Sequence, residues 1–444
     1  MNKISLPPLS ITYTTAIRDT ELSNQDWWEQ VYSKYKQIEA LPYQHWLLFA
    51  DDSFDFSCCF FALLLAGKTP VLPPNLQVET LKKLAQELDA VCADRNVGQH
   101  EPDVYTDYKS LSETKDYKDI YRDVGSEQEI FLYTSGSTGE PKLVVKKWRQ
   151  LQAEVETLES CFGEDVDKTT ICGSVSHQHI YGLLFTVLWP LLSQRVWQVR
   201  PIKYIEDYRF AVKENISFVS SPSFLEHLSR QIAPLENSPK YCFSSGGALK
   251  DETVKLLAQQ WQLAPTEVFG SSETGGVAYR NQLIQQHWSV FQCIKWRISA
   301  NNALQIRSPY LVDLERWYEM DDAVEESGDG FKLLGRLDRI VKIAEKRVCL
   351  DQMSRLLEKH QWVIECDLLT LSSSRDCIAA VVVLNNCGLK QLKASKHAVN
   401  KTLRMYLADY FETVTLPRKW RYIDNLMVNS QGKRQLAKMR SLFT

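Results

Sequence analysis

No apolar run in this 444-residue chain reaches the roughly 18 residues that a membrane span needs. The best stretch, IYGLLFTVLWPLL (180–192), is shorter and contains Pro190. The first residues, MNKISLPPLSITYTT, lack the basic-then-apolar order of a secretory signal, so a cytoplasmic protein is expected. No CxxC pair occurs among the eleven cysteines, whose number is odd. That argues against a disulfide framework or a zinc site and for reduced thiols. Vicinal Cys58 and Cys59, in FSCCFFALLLAG, read as core fillers of a buried helix. The pair His177 and His179 has no third ligand signature nearby and is not read as a metal site. No internal repeat is present. A net charge of only −3 gives no sign of a nucleic-acid partner.

What is present is a composition ordinary for a globular protein, 44% hydrophobic and 24% charged, in a chain long enough for two or three domains. Apolar β-like runs alternate with helical patterns, which indicates an α/β body. One such pattern is LQVETLKKLAQELDAV (76–91), with Leu81, Leu84 and Leu88 on one face. A polar stretch at 100–129 reads as surface structure. Charge is distributed unevenly. From Asp338 to the end there are 19 Lys/Arg against 10 Asp/Glu, so the preceding residues carry an excess of twelve negative charges. A basic tail on an acidic body implies that the last hundred or so residues meet something anionic.

The most informative stretch is YTSGSTGEPK (133–142). It is not a Walker loop, which needs two glycines four residues apart and then Lys-Ser or Lys-Thr. Here Gly136 and Gly139 are closer, and Lys142 comes late, behind Pro141. Its flanks, EIFLY (129–133) and KLVVK (142–146), are β-prone. From Trp148 a helical pattern follows, with Leu151, Val155, Leu158 and Phe162 on one face. In a strand–loop–strand–helix unit of this kind, freed backbone N–H groups can surround phosphoryl oxygens. The Thr134, Ser135, Ser137 and Thr138 hydroxyls would add to them.

Further segments occur in a fixed order along the chain: SHQHIYGLL (176–184), SSGGAL (244–249), EVFGSSETGG (267–276), WYEMDDAV (317–324), GRLDRIVKIAEKRV (335–348) and NSQGKRQL (429–436). With YTSGSTGEPK they resemble the adenylate-forming, AMP-binding superfamily of acyl- and aryl-CoA synthetases, luciferases and peptide-synthetase adenylation domains. The resemblance implies a large, multi-subdomain α/β N-terminal adenylation domain (1–337), with ATP and acid sites. A small, mobile α+β C-terminal domain (338–444) would follow. It implies ATP and Mg²⁺ as cofactors. The acid would become an acyl-adenylate as pyrophosphate leaves, and would then pass to a phosphopantetheine thiol of coenzyme A or an acyl carrier protein.

Site residues carry over position by position. Thr134, Ser135, Gly136, Ser137, Thr138, Gly139 and Lys142 correspond to the phosphate loop. Gly246 and Gly247 correspond to the glycine pair lining the adenylate site. Phe269, Gly270, Ser271 and Ser272 belong to the nucleotide motif, with Ser272 where threonine is usual. Glu273 corresponds to the Mg²⁺ ligand. Asp322 corresponds to the carboxylate that grips the ribose hydroxyls, and Arg336 to its partner. Asp338 corresponds to the hinge, and Lys433, behind Asp424 and Asn429, to the catalytic lysine. His179 borders the acyl pocket, as a gate or a contact for the substrate carboxylate.

Three departures stand out: Met320 and Asp321 where Thr-Gly is usual, and Glu345 where the hinge loop commonly has glycine. HIYG (179–182) replaces the Phe-Asp-x-Ser of amino-acid adenylation domains, so an α-amino acid is not expected and the pocket should be uncharged. Aromatic and fatty acids both stay open. So do an enzyme that stops at the adenylate and a degenerate nucleotide-binding scaffold.

Overall fold

The computed structural model describes residues 6–7, 14–17, 20–94, 124–135, 141–211, 215–230, 238–343, 346–371, 377–428 and 434–443. They form two compact units. The first takes in residues up to 295 together with 307–316, and the second takes in 296–306 and residues from 317 onward. The expected division at 337/338 therefore falls inside the second unit, at the short turn Leu337–Arg339.

The first unit holds two sheets. In the five-stranded sheet, Ala90–Ala93, His45–Phe49, Thr69–Leu72 and Glu129–Ser135 run parallel, and Pro141–Lys147 closes one edge antiparallel to Glu129–Ser135. The nine-stranded sheet has a parallel centre of Thr170–Gly173, Ile216–Ser220, Tyr241–Ser245 and Thr266–Ser271. The antiparallel strand Gly275–Asn281 lies beside it. Ile216–Ser220 is buried throughout, as parallel strands covered on both faces are. Helix Ser53–Leu65 is apolar on all sides and buried on all sides. Cys58 and Cys59 lie in its core, capped at the start by Asp52. All eleven cysteines are free thiols.

The strands and helix of the 129–162 unit form as their pattern requires. Glu129–Ser135 pairs with Pro141–Lys147, and helix Trp148–Phe162 buries Leu151, Val155, Leu158 and Phe162. The 76–91 pattern differs. Its helix stops at Leu84, a 3₁₀ turn follows, and Ala90–Ala93 joins the sheet beside His45–Phe49. The Asp89 carboxylate accepts the Gln44 and His45 N–H groups at 3.0 and 2.8 Å. Sheet pairing thus overrides the helical continuation that local spacing favoured. The apolar run 180–192 is a buried helical segment, with a π-helical stretch at Leu183–Leu188. Among the described residues, no helix is long and apolar enough to cross a membrane.

The second unit begins with the antiparallel sheet Lys295–Ile298, Ala303–Arg307, Tyr318–Ser327 and Gly330–Arg336. After the turn Leu337–Arg339 come the hairpin Ile340–Ile343 with Lys346–Cys349, and helix Leu350–Leu357. A three-stranded sheet follows, centred on Cys377–Leu384. Every residue of that strand is buried. Ile378, Ala380, Val382 and Leu384 face one apolar cluster, and Cys377, Ala379, Val381 and Val383 face another. This period-2 split between two cores is what a central strand covered on both sides shows.

Candidate active site

In the phosphate-loop hairpin, Thr134 lies opposite Lys142 and Ser135 opposite Pro141. Gly136, Ser137, Thr138 and Gly139 lie outside the described residues. The Thr134 hydroxyl donates to the Lys142 carbonyl at 3.4 Å. Lys142 Nζ lies 2.5 Å from Glu273 Oε1, across 131 residues of chain.

Glu273 sits in the turn between strands Thr266–Ser271 and Gly275–Asn281. Side-chain bonds fold that turn tightly. The Ser271 N–H donates to Thr274 Oγ1 at 3.1 Å, and the Thr274 N–H returns a bond to Ser271 Oγ at 3.2 Å. Gly270 is required here, because a Cβ would lie 2.2 Å from the Gly275 carbonyl oxygen. Phe269 packs on Trp288 with ring centroids 5.5 Å apart, and Ser272 is half-buried beside Glu273. Burial alone would raise the Glu273 carboxyl. Hydrogen bonds from Lys142 and from its own backbone N–H outweigh this and leave it below the ordinary glutamate value.

Two charged groups that the sequence reading passed over hold this turn. Lys146 is 1% exposed, and its Nζ donates to the Glu273 carbonyl at 2.7 Å and the Tyr310 carbonyl at 3.2 Å. Glu154, 5% exposed, accepts the Gly276 N–H at 2.5 Å through Oε1. Burial lowers the Lys146 ammonium and raises the Glu154 carboxyl. Both were legible. Lys146 occupies an inward position of the alternating strand, in step with Val144. Glu154 falls on the helix face of Leu151, Val155 and Leu158.

Gly246 and Gly247 follow strand Tyr241–Ser245, which pairs with Thr266–Ser271. Gly246 has φ +88, and a Cβ there would meet nothing within 4 Å. Gly246 therefore faces open space, while a Cβ on Gly247 would touch Pro222 at 3.7 Å. Both lie at the carboxyl ends of parallel strands, where ligands of such sheets bind. On the neighbouring strand ends, Ser174 and Ser220 share a 2.8 Å hydrogen bond. His179 stands just before Ile180, half-buried, and its carbonyl accepts the Leu183 N–H at 2.8 Å. Gly182 is obligatory in that turn, since a Cβ would lie 2.1 Å from the Ser176 carbonyl oxygen. His177 is a core residue. Its Nε2 bonds the Ala50 carbonyl at 2.7 Å, and its ring packs on Phe56.

In the second unit, Asp322 pairs across the sheet with Arg336. The chain runs through Met320 and Asp321 as an unbroken strand, with Met320 buried and Asp321 outside. The Arg336 guanidinium grips Asp338 at 2.9 and 3.2 Å and also reaches Asp321 at 3.3 Å. Burial, with the nearby carboxylates of Asp321, Asp338 and Asp351, pushes the Asp322 carboxyl up to about 6, against the pull of Arg336. Next to the turn lies a groove of about 820 Å³, with Ala323 and Leu333 on one side and Val341, Cys349, Arg355 and Tyr410 on the other. Lys433, Asn429 and Glu345 lie outside the described residues.

A glycine pair at the ends of parallel strands and a lysine–glutamate contact across 131 residues thus occur in the same unit. The family model for AMP-binding enzymes matches residues 82–310, and the chain belongs to that family. An uncharacterized acyl-CoA ligase of Bacillus subtilis is 24% identical over 329 residues, 68% of this chain and 66% of the relative. This chain thus aligns with just under two thirds of that relative's length. A 4-coumarate–CoA ligase of Halorhodospira halophila is 25% identical over 322 residues, 68% of this chain and 74% of the relative. The fold matches ATP-bound MatB of Rhodopseudomonas palustris with a TM-score of 0.83 at 14% identity, covering 98% and 97% of the two chains. A benzoate CoA ligase of Burkholderia xenovorans LB400 matches with a TM-score of 0.76 at 18% identity, covering 96% of each chain.

Proposed function

We propose that the protein activates a carboxylic acid with ATP and then passes the acyl group to a phosphopantetheine thiol. The observation that carries this reading is the meeting of Lys142 and Glu273, from two segments far apart in the chain, at 2.5 Å. In the first step a carboxylate oxygen attacks the α-phosphorus, the bond to pyrophosphate breaks, and an acyl-adenylate forms. In the second step a thiolate attacks the acyl carbon and AMP leaves.

The loop hydroxyls and N–H groups of 134–139 would take the β- and γ-phosphate oxygens, with Lys142 beside them. A magnesium ion is commonly held by one or two carboxylates and the substrate's phosphates, so the single carboxylate of Glu273 fits its needs. Bound there, the ion would offset phosphate charge. Asp322 would accept both ribose hydroxyls, with Arg336 holding its strand. The residues at these strand ends, Ser174, Gly246 and Gly247, carry no charge, which favours an aromatic or aliphatic acid over an amino acid. The basic residues after Asp338 suit an anionic acceptor, coenzyme A or an acyl carrier protein.

The decisive experiment is a panel of aromatic and fatty acids tested by ATP–pyrophosphate exchange. Coenzyme A and holo-carrier protein are offered side by side and products read by intact mass. Exchange with no acid would refute the enzymatic reading and leave a nucleotide-binding scaffold. Exchange without any thioester would establish an enzyme that ends at the adenylate, the alternative that Glu345 raises.

The proposed ribose contact also predicts a pH effect. To accept two hydroxyls Asp322 must be ionised, so kcat/KM for ATP should fall as pH drops through about 6. Asp321→Asn removes a like charge that raises this group, and the acid limb should move to lower pH. A profile that stays flat to pH 5 would exclude the assignment. The raised value has a stability consequence of opposite sense. Between 3.8 and about 6 the folded chain holds this proton more tightly than the unfolded one, so its stabilising contribution declines as pH rises.

A further inference from the structure

Lys146 and Glu154 are two buried charges on the arm and helix that follow the phosphate loop, and both are bonded to the turn that displays Glu273. We propose that they are positioning residues that hold Glu273 in register with the phosphate loop for a magnesium–nucleotide complex. The proposal rests on the reading of the protein as an ATP-dependent acid-activating enzyme.

The hydrogen bonds of this pair go to backbone atoms at Glu273 and just after it. Lys146 takes the Glu273 carbonyl, and Glu154 takes the Gly276 N–H three residues on. Lys146 also bonds the Tyr310 carbonyl. Lys142 lies four residues before Lys146 on the same strand, hence on the same face, and takes the Glu273 carboxylate. One strand therefore fixes Glu273 twice, by its backbone and by its side chain, and that strand begins at the phosphate loop. Gly275, at φ +69, leaves room for the glutamate: a Cβ there would lie 2.6 Å from Glu154 Oε2.

Stability alone is a poor reason for this arrangement. Buried charged groups are commonly replaced by apolar residues of similar volume at no cost in stability. Glu154 Oε2 is buried without a hydrogen-bond partner. Geometry is a better reason. Magnesium accepts little deviation from octahedral coordination, and displacing a reacting group by about 1 Å can cost about 10²-fold in rate. Groups that orient a metal ligand from behind typically contribute about 10- to 100-fold in metal affinity.

The test measures ATP binding by calorimetry, with Mg²⁺ and with a chelator, beside acid-dependent exchange. Lys146→Met should weaken ATP binding about tenfold or more in Mg²⁺, while the chelated affinity stays within about twofold. A residue that merely supports the fold would weaken both alike, and that result would overturn the proposal. Glu154→Gln retains an oxygen for the Gly276 N–H and should keep the Mg²⁺ effect, whereas Glu154→Ala should lose it. Equal behaviour of those two variants would also overturn the proposal, and they decide the matter if Lys146→Met does not fold. Wild type that binds no ATP would remove both readings. Wild type that shows the predicted Mg²⁺ pattern but exchanges with no acid would remove only the proposed acid activation.

Discussion

Lys433→Ala is expected to reduce acid-dependent pyrophosphate exchange by about 10²- to 10³-fold, the scale on which removing one preorganised donor to transition-state charge acts. The reasoning starts from repulsion. A substrate carboxylate approaching a triphosphate meets a like charge, at a cost of about 4 kcal/mol for unit charges at about 4 Å and an effective dielectric near 20. Two lysines of the first unit beside Glu273 are already engaged, Lys142 with its carboxylate and Lys146 with two carbonyls. A further cation is needed at the carboxylate and α-phosphate, and the QGK segment at 431–433 is the expected source. The same substitution should leave transfer from a supplied acyl-adenylate to the thiol nearly intact, because that step releases AMP without joining two anions. The two rates, measured on one preparation, separate a missing cation from a damaged fold. Exchange within about threefold of wild type would remove Lys433 from the mechanism.

Much of this was legible because the relevant signals are local. The strand–loop–strand–helix unit follows from alternation at 129–147 and from helical spacing at Leu151, Val155, Leu158 and Phe162. The vicinal cysteines are core residues because the helix around them is apolar on every side. Where the reading went astray, a distant partner decided the outcome. Nothing within 76–91 shows that Asp89 will cap the start of another strand and turn Val91 into sheet. The grouping of 296–306 and 317–336 with the C-terminal residues depends on packing that no local pattern encodes. Lys146 and Glu154 are a different kind of omission. Each is a charge on an apolar stripe, visible in the pattern, but motif matching draws attention to the residues it names. A charged side chain on a buried face was the available signal.

Asp338→Pro is expected to divide the two half-reactions, leaving exchange within about threefold of wild type and lowering thioester formation by about 10²-fold or more. Two arginines bracket the position. Arg336 is held by Asp321 on the neighbouring strand as well as by Asp338 itself. Arg339, only 12% exposed, is fastened to the C-terminal side through Asp351 at 2.8 Å, Asp367 at 2.5 Å and the Leu368 carbonyl at 2.7 Å. A rotation between the two sides would turn on Leu337 and Asp338, and would break the Arg336–Asp338 pair together with the Arg336 N–H bond to Asp351 and the Cys349 thiol bond to the Leu334 carbonyl. The groove beside the turn has walls from both sides, so this junction is not packed solid. Proline fixes φ at 338 and disfavours helical backbone at Leu337, which removes the freedom that rotation needs. Asp338→Ala is the companion variant, because it deletes the carboxylate and keeps the torsion. If alanine spares thioester formation while proline blocks it, backbone rotation at 338 is the cause. Equal loss in both variants would assign the effect to the carboxylate, and loss of exchange in the proline variant would refute the hinge.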